Sequence, residues 1–224
     1  MDELEIMRAR HSVRAFEKRP IEAIAAERLK SEIEACNAAG DLKIRLVTGD
    51  ADAFDSFLAH YGKFLNVANY IALIGERSPD LEQRCGYYGE RLVLTAQALG
   101  LNTCWVAVSF AKGRTRKKLN LQRGEKLTCV IALGYGKEPG KAHKSKAAEK
   151  VSRAENPPEW FCRGVEAALL APTAINQQRF RIELVGEKGV RLRQTGGVCR
   201  GLDFGIVKYH FEKGAGAENF EWVL

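Results

Sequence analysis

Two segments far apart in this 224-residue chain carry the side chains best suited to chemistry. Near the start, Arg8-Ala9-Arg10-His11-Ser12-Val13-Arg14-Ala15-Phe16 gathers cations around a hydroxyl. Guanidinium groups bind phosphate through planar, two-pronged hydrogen bonds, and a serine adds a compact donor. A basic exposed loop leading into a strand would show the same residues. In the second half, Ala171-Pro172-Thr173-Ala174-Ile175-Asn176-Gln177-Gln178-Arg179-Phe180 reads as a helix end running into a polar turn. Thr173, Asn176 and Gln178 can both donate and accept, which suits the edge of a flat polar ring; turn capping by Thr173 and Asn176 would use the same side chains. Together the two segments suggest a phosphorylated ring cofactor held between two parts of the molecule. A third segment, Leu99-Gly100-Leu101-Asn102-Thr103-Cys104-Trp105-Val106-Ala107-Val108, turns sharply at Gly100 after an apolar helix. Its extended backbone could approach such a cofactor, or the segment could serve only as core.

The elements that must position these residues follow from periodicity. Helices are expected over 2–9, 21–38 with a stripe of Ile21, Ile24, Leu29 and Ile33, 51–61, 81–99, 160–170 and 202–211. The 81–99 helix is apolar over its later turns and so buried. Strands are expected over 43–47, 68–74, 104–108, 130–133, 180–185 and 190–193. The pattern of 42–47 recurs at 180–185, each after an Ala-rich helix, and Gly89 and Gly100 match Gly205 and Gly216. The later spacing is shorter, so the second copy should lack about one helix-plus-strand unit in its middle. The expected organisation is a first half over 1–136, a basic linker over 137–156 and an abbreviated second half over 157–224. The class is α+β, with the helices 81–99 and 202–211 packed together at a pseudo-twofold centre.

Composition narrows the function. The chain is 46% hydrophobic and 28% charged, as globular proteins are. Its net charge is +7, but the densest basic run, Lys112 to Lys118, has no aromatic residue to stack a base, and no nucleic-acid-binding motif is present. No apolar run approaches the roughly 20 residues of a membrane span. The acidic opening Met1-Asp2-Glu3-Leu4-Glu5 lacks a secretion signal's apolar core, giving the expectation of a cytoplasmic protein. Six cysteines form no C-x-x-C pair and read as buried, reduced thiols. His60 and His210 stand away from any cysteine or carboxylate at metal-ligand spacing, so no metal site is expected.

The three segments together resemble the FMN-dependent nitroreductase family, with its R-R-S-V-R-x-F opening, its A-P-S-x-x-N-x-Q-P-W segment and a buried helix ending L-G-L-G-T-x-W. In that family the second motif follows the first within a few dozen residues; here that position, Glu34-Ala35-Cys36-Asn37-Ala38, lacks the proline and glutamine. The motif lies instead in the C-terminal half. The resemblance is therefore closest to the single-chain branch, in which one chain imitates the family dimer and keeps one FMN site, and it implies a monomer with a nitroreductase-like fold.

Carried over residue by residue, the resemblance assigns Arg10, His11, Ser12 and Arg14 to the phosphate and ribityl end. Thr173, Asn176 and Gln178 go to the ring side. Ala107 and Val108 fall where the family has a Gly-Gly pair, and His143, Lys144 and Lys146 match its late basic residues as a phosphate clamp. The implied activity passes electrons from NADH or NADPH through FMN to an electron-poor small molecule, with no side-chain acid or base and with neither nucleic acid nor membrane as partner. The alternative is an FMN-binding protein without turnover, a flavin store or sensor.

Overall fold

A computed structural model describes residues 2–55 and 61–223. After helix α1 (Glu3–Ala9) and an extended arm, helix α2 (Ala23–Gly40) leads into the first of two four-stranded sheets. Its strands are β1 (Arg45–Val47), β2 (Asn69–Glu76), β3 (Asn102–Val106) and β4 (Glu125–Gly134), ordered β1-β2-β4-β3 and antiparallel throughout. The central pair, β2 and β4, is buried on both faces, which explains the unbroken apolar runs Tyr70–Ile74 and Cys129–Leu133. The two-residue side-chain period sorts them. Ile71, Leu73, Ile131 and Leu133 meet α2 and helix α3 (Leu81–Ala98) on one face. Tyr70, Ala72, Val130 and Ala132 meet Phe16, Phe54 and Phe110 on the other.

The second sheet, ordered β5-β6-β7-β8, comprises β5 (Ser152–Arg153), β6 (Phe180–Val185), β7 (Gly189–Gln194) and β8 (Glu221–Trp222). Its central pair is antiparallel and its outer pairs are parallel. Helices α6 (Glu159–Leu169) and α7 (Arg200–Ala215) cover it, with Phe161, Val165, Ile182, Val190 and Phe211 as the core. The α+β class expected from the sequence is therefore observed. Short helices α4 (Lys112–Lys118) and α5 (Ala148–Val151) complete the set.

Several expectations need correction. Ile24 is 78% exposed; the buried stripe of α2 runs through Ala25, Leu29, Ile33 and Cys36. The helix expected over 51–61 is a 3-10 turn at Ala51–Phe54, and residues 56–60, with His60, lie outside those described. The basic run Lys112–Lys118 forms α4, whose Lys118 and Arg114 bind Asp50 and the Asp52 carbonyl. Residues 148–153, placed in the linker, supply α5 and an edge strand of the second sheet. Cys162 is exposed and Cys199 half-buried, while the other four thiols are buried, the Cys85 thiol being pushed up to about 11 by burial.

The element order helix–strand–strand–helix–strand occurs twice, as α2–β1–β2–α3–β3 and α6–β6–β7–α7–β8. The second occurrence has no counterpart of α4 and β4, a helix-plus-strand unit that follows β3 at the end of the first copy and not in its middle, and it also lacks the long link from β1 to β2. Consequently β8 lies directly on β7, whereas β4 separates β3 from β2.

The two sheets are joined where α3 crosses α7. The crossing is closer than side chains permit. A Cβ on Gly86 would stand 2.1 Å from the Leu202 carbonyl oxygen, and one on Gly205 would stand 2.0 Å from that of Gln83. Leu202, from the second half, is buried in the first core cluster. Beneath the crossing, Glu90 and His210 are both fully buried. His210 Nδ1 donates to the Ala167 carbonyl at 2.9 Å, and its Nε2 lies 2.9 Å from Glu90 Oε1. Trp105 Nε1 donates to Glu90 Oε2 at 2.9 Å. His210 is thus a packed histidine, as expected, but with a carboxylate partner that sequence spacing did not reveal.

Two predictions follow from this crossing. Gly86→Ala or Gly205→Ala should destabilise by about 3 kcal/mol in urea unfolding, although alanine is favoured over glycine in a helix by about 1 kcal/mol. Gly113→Ala, with nothing within 4 Å of its added methyl, should instead stabilise slightly. His210→Leu should cost roughly 3–5 kcal/mol, because it strips a fully buried carboxylate of one partner; a loss under about 1 kcal/mol in the same assay would refute the coupling.

Candidate functional site

Between the halves lies a cavity of about 1090 Å³. Its first wall is the arm after α1. Arg10 is the C-cap of α1, its N–H bonded to the Ile6 carbonyl. The arm then runs extended along the edge of β3, with Val13 N–H on the Thr103 carbonyl at 3.0 Å and Ser12 beside Thr103. Val13 and Phe16 sink into the core and anchor the arm, leaving Ser12 and Arg14 exposed at the cavity wall. Apolar spacing in the sequence therefore aims the polar residues.

Arg10 is the unusual member. It is only 4% exposed, and its Nε has no hydrogen-bond partner. Burial pushes its pKa down, opposed by the nearby Glu90 charge. An arginine in this state costs free energy unless something anionic meets it. The thiol of the buried Cys104, on the cavity lining beside Ser12, is raised by burial.

The second wall is the turn after α6. Thr173 is buried, and its Oγ1 accepts the Gln178 N–H at 3.0 Å. Ile175, Asn176 and Gln178 all hold left-handed backbone angles, with φ of 47°, 54° and 44°. For the β-branched Ile175 this is a strained geometry, of a kind that concentrates at functional sites. The strain is held from outside. Asp203 on α7 accepts the Ala174 N–H at 3.0 Å and the Gln177 side-chain amide at 2.7 Å. Burial keeps this carboxyl above its ordinary range despite both bonds.

Of the residues assigned from the sequence, Arg10, Ser12, Arg14, Ala107, Val108, Thr173 and Asn176 line the one cavity, together with His143. His11, Lys144, Lys146 and Gln178 do not. Gln178 is 2% exposed and its amide is fully used: Oε1 accepts the Lys146 N–H, while Nε2 donates to the Lys144 carbonyl and Asn176 Oδ1. Lys146 Nζ donates to the Gln177 and Gln178 carbonyls at 2.9 and 2.7 Å. Asn176 Nδ2 also donates to the Lys144 carbonyl. These bonds fasten the connecting segment to the turn, so the geometry of Lys144, Lys146 and Gln178 is that of a strap behind the wall. His143 Nε2 lies 3.0 Å from the Leu169 carbonyl, and burial lowers its pKa, which leaves it neutral near pH 7 and poor as a phosphate clamp.

Sequence reasoning missed Lys63, Lys137, Lys141, Val198 and Asp203, all of which line this cavity. No motif marks them; only folding brings them together. A shallower cleft of about 810 Å³ at the start of α7 shares Ala107, Val108, Cys199 and Leu202 with the cavity, but it holds no buried, unpartnered group.

Comparison with known proteins agrees with this architecture. A nitroreductase structure from Thermotoga maritima, described as "putative", superposes with a TM-score of 0.67 at 24% identity, over 96% of this chain and 83% of that one. A "Putative NADH dehydrogenase/NAD(P)H nitroreductase" from Bacteroides thetaiotaomicron gives 0.52 at 22% identity, over 69% and 96%. An "FMN-dependent Nitroreductase" from Clostridium difficile gives 0.52 at 16%, over 62% and 90%. These likenesses establish the nitroreductase fold. No curated protein matches the sequence. The family described as "Putative TM nitroreductase" matches residues 3–215, nearly the whole chain, and the protein belongs to that family.

Proposed function

We propose that the cavity binds FMN and that the protein uses it to pass electrons from NADH or NADPH to a small, electron-poor acceptor. The observation that carries this reading is Arg10. A buried guanidinium whose Nε has no hydrogen-bond partner among the described residues, on the same cavity as the Ser12 hydroxyl and the Arg14 cation, fits an anionic phosphate. The donor set agrees with that role: two forked cations and a hydroxyl at one end, and the Thr173–Asn176 turn at the other.

The chemistry that FMN supplies when bound is two-electron exchange with a nicotinamide donor and an acceptor. The chain's own residues bind and orient. Arg10, Ser12 and Arg14 hold the phosphate end. Thr173 and the turn through Ile175 and Asn176 would meet the ring side, backed by the Asp203 and Gln178 hydrogen bonds. Ala107 and Val108 line the same cavity and would stand where the resemblance puts a Gly-Gly pair, with larger side chains. His11 lies just outside this set.

In this reading the segment from 157 onward takes the place of the family's partner subunit. It brings its own turn to a site whose phosphate end belongs to the first half. The twice-occurring element order and the helix crossing support a chain that works as a monomer with one flavin site. No helix among the described residues is long and apolar enough to cross a membrane; on this reading the enzyme is cytoplasmic.

Purified protein should take up FMN and turn yellow, and NADH or NADPH should bleach the flavin absorbance. Uptake without bleaching would favour a flavin store, and no uptake would refute the proposal. Arg10→Met should weaken FMN binding about 10–100-fold, the worth of roughly 1.5–3 kcal/mol in charge-assisted hydrogen bonds. The same change should leave the flavin-free protein no less stable, since it removes an unpartnered buried charge. Tighter or unchanged FMN binding by this variant would overturn the phosphate assignment.

A further inference from the structure

The mouth of the cavity carries more charge and more apolar surface than the proposed cofactor uses. Five permanent cations line the wall, Arg10, Arg14, Lys63, Lys137 and Lys141, against the carboxylates of Glu138 and Asp203. Asp203 is taken up by Ala174 and Gln177. A phosphate monoester carries about −1.5 to −2 at neutral pH, which Arg10 and Arg14 offset. Lys63, Lys137 and Lys141 are exposed, and among the described residues their side chains form no ion pair. Lysines 30, 43, 118, 126, 208 and 213 are each paired with a carboxylate, whereas these three gather at one cavity.

The apolar surface is equally uneven. Among the described residues seven large hydrophobic side chains are exposed, and four of them, Tyr61, Val108, Ile175 and Val198, line this one cavity. Ile175 is 88% exposed on a backbone held in a strained angle, so its outward position is maintained by the fold and is not a relaxed loop. Apolar side chains grouped at a cavity mark a binding surface. At about 1090 Å³ the space also exceeds the roughly 300–1,000 Å³ typical of a pocket for one small ligand.

We propose that this mouth selects as electron acceptor an aromatic ring that bears an acidic group, a carboxylate or a sulfonate. The ring lies against Val108, Ile175 and Val198, and the acid faces Lys63, Lys137 and Lys141. The assignment deepens the oxidoreductase reading and rests on it for the word acceptor; the binding preference itself depends only on side chains of this chain.

The test measures binding of 4-nitrobenzoate, nitrobenzene and the cation 4-nitrobenzyltrimethylammonium by calorimetry, with FMN-loaded and with flavin-free protein. In both forms 4-nitrobenzoate should bind about tenfold tighter than nitrobenzene, and the cation weakest. The triple variant Lys63→Gln, Lys137→Gln, Lys141→Gln should bring the first two within about twofold of each other, as should about 0.5 M salt. Ile175→Ser with Val198→Ser should weaken both by a similar factor and keep their ratio. Equal affinities in the unmodified protein, or a preference that survives the triple variant, would overturn the proposal. Failure to bind FMN would remove the electron-transfer reading alone, because the preference is then still read in the flavin-free protein.

Discussion

Everything in this molecule depends on two helices whose backbones touch. At Gly86 and Gly205 the α3–α7 crossing leaves no room for a methyl group. That closeness lets Leu202 enter the core of the other half and brings His210 within reach of Glu90. The polar pair costs desolvation, but it also admits only one register, since any slide of one helix along the other would leave a carboxylate buried without its partner. Trp105 completes the joint: its N–H holds Glu90, and its ring packs on both cores. The cavity opens beside this joint and shares Trp105 and Leu202 with it. A rigid crossing therefore fixes the distance between an arm that begins at residue 10 and a turn that begins at residue 173.

The site is held by spending stability in small, local amounts. Arg10 stays buried with its Nε unpartnered among the described residues, three residues of the 175–178 turn sit in left-handed angles, and the Asp203 carboxyl is pushed above its ordinary range by burial. Each is unfavourable alone. The compensating bonds lie behind the wall, in the strap formed by Gln178, Asn176, Lys144 and Lys146 and in the Asp203 contacts. Such an arrangement leaves the Arg10 Nε free while the second wall, Thr173 and Asn176 included, is fixed by its own hydrogen bonds, as preorganised binding requires.

Much of this was legible in the chain before folding. The extended strands and the long helices follow from two-residue and helical periodicity, and the cationic arm and the polar turn follow from residue type and spacing. The reading failed where neighbours in sequence are not neighbours in space. Ile24 fits the helical stripe as well as Ala25 does, and only the packing of α2 decides that Ala25 faces inward. Gln178 and Lys146 are polar and near the motif, yet each finds the other first, and a saturated amide has nothing left for a ligand. His143 appears basic in sequence but is desolvated beside the Leu169 carbonyl.

What the sequence determined by itself is the local grammar: which segments alternate, which carry cations or amides, and that the first half's pattern returns in shortened form. These are properties of adjacent residues, set by side-chain chemistry and backbone period. What only the tertiary structure decided is which of those side chains remain unpaired. That depends on hydrogen-bond partners more than thirty residues away for Gln178 and 120 residues away for His210, and on a close helix approach that no single helix encodes. Partnering across such distances is a sum over the whole fold, and it separates Arg10, buried and unmatched, from other arginines of the same chain.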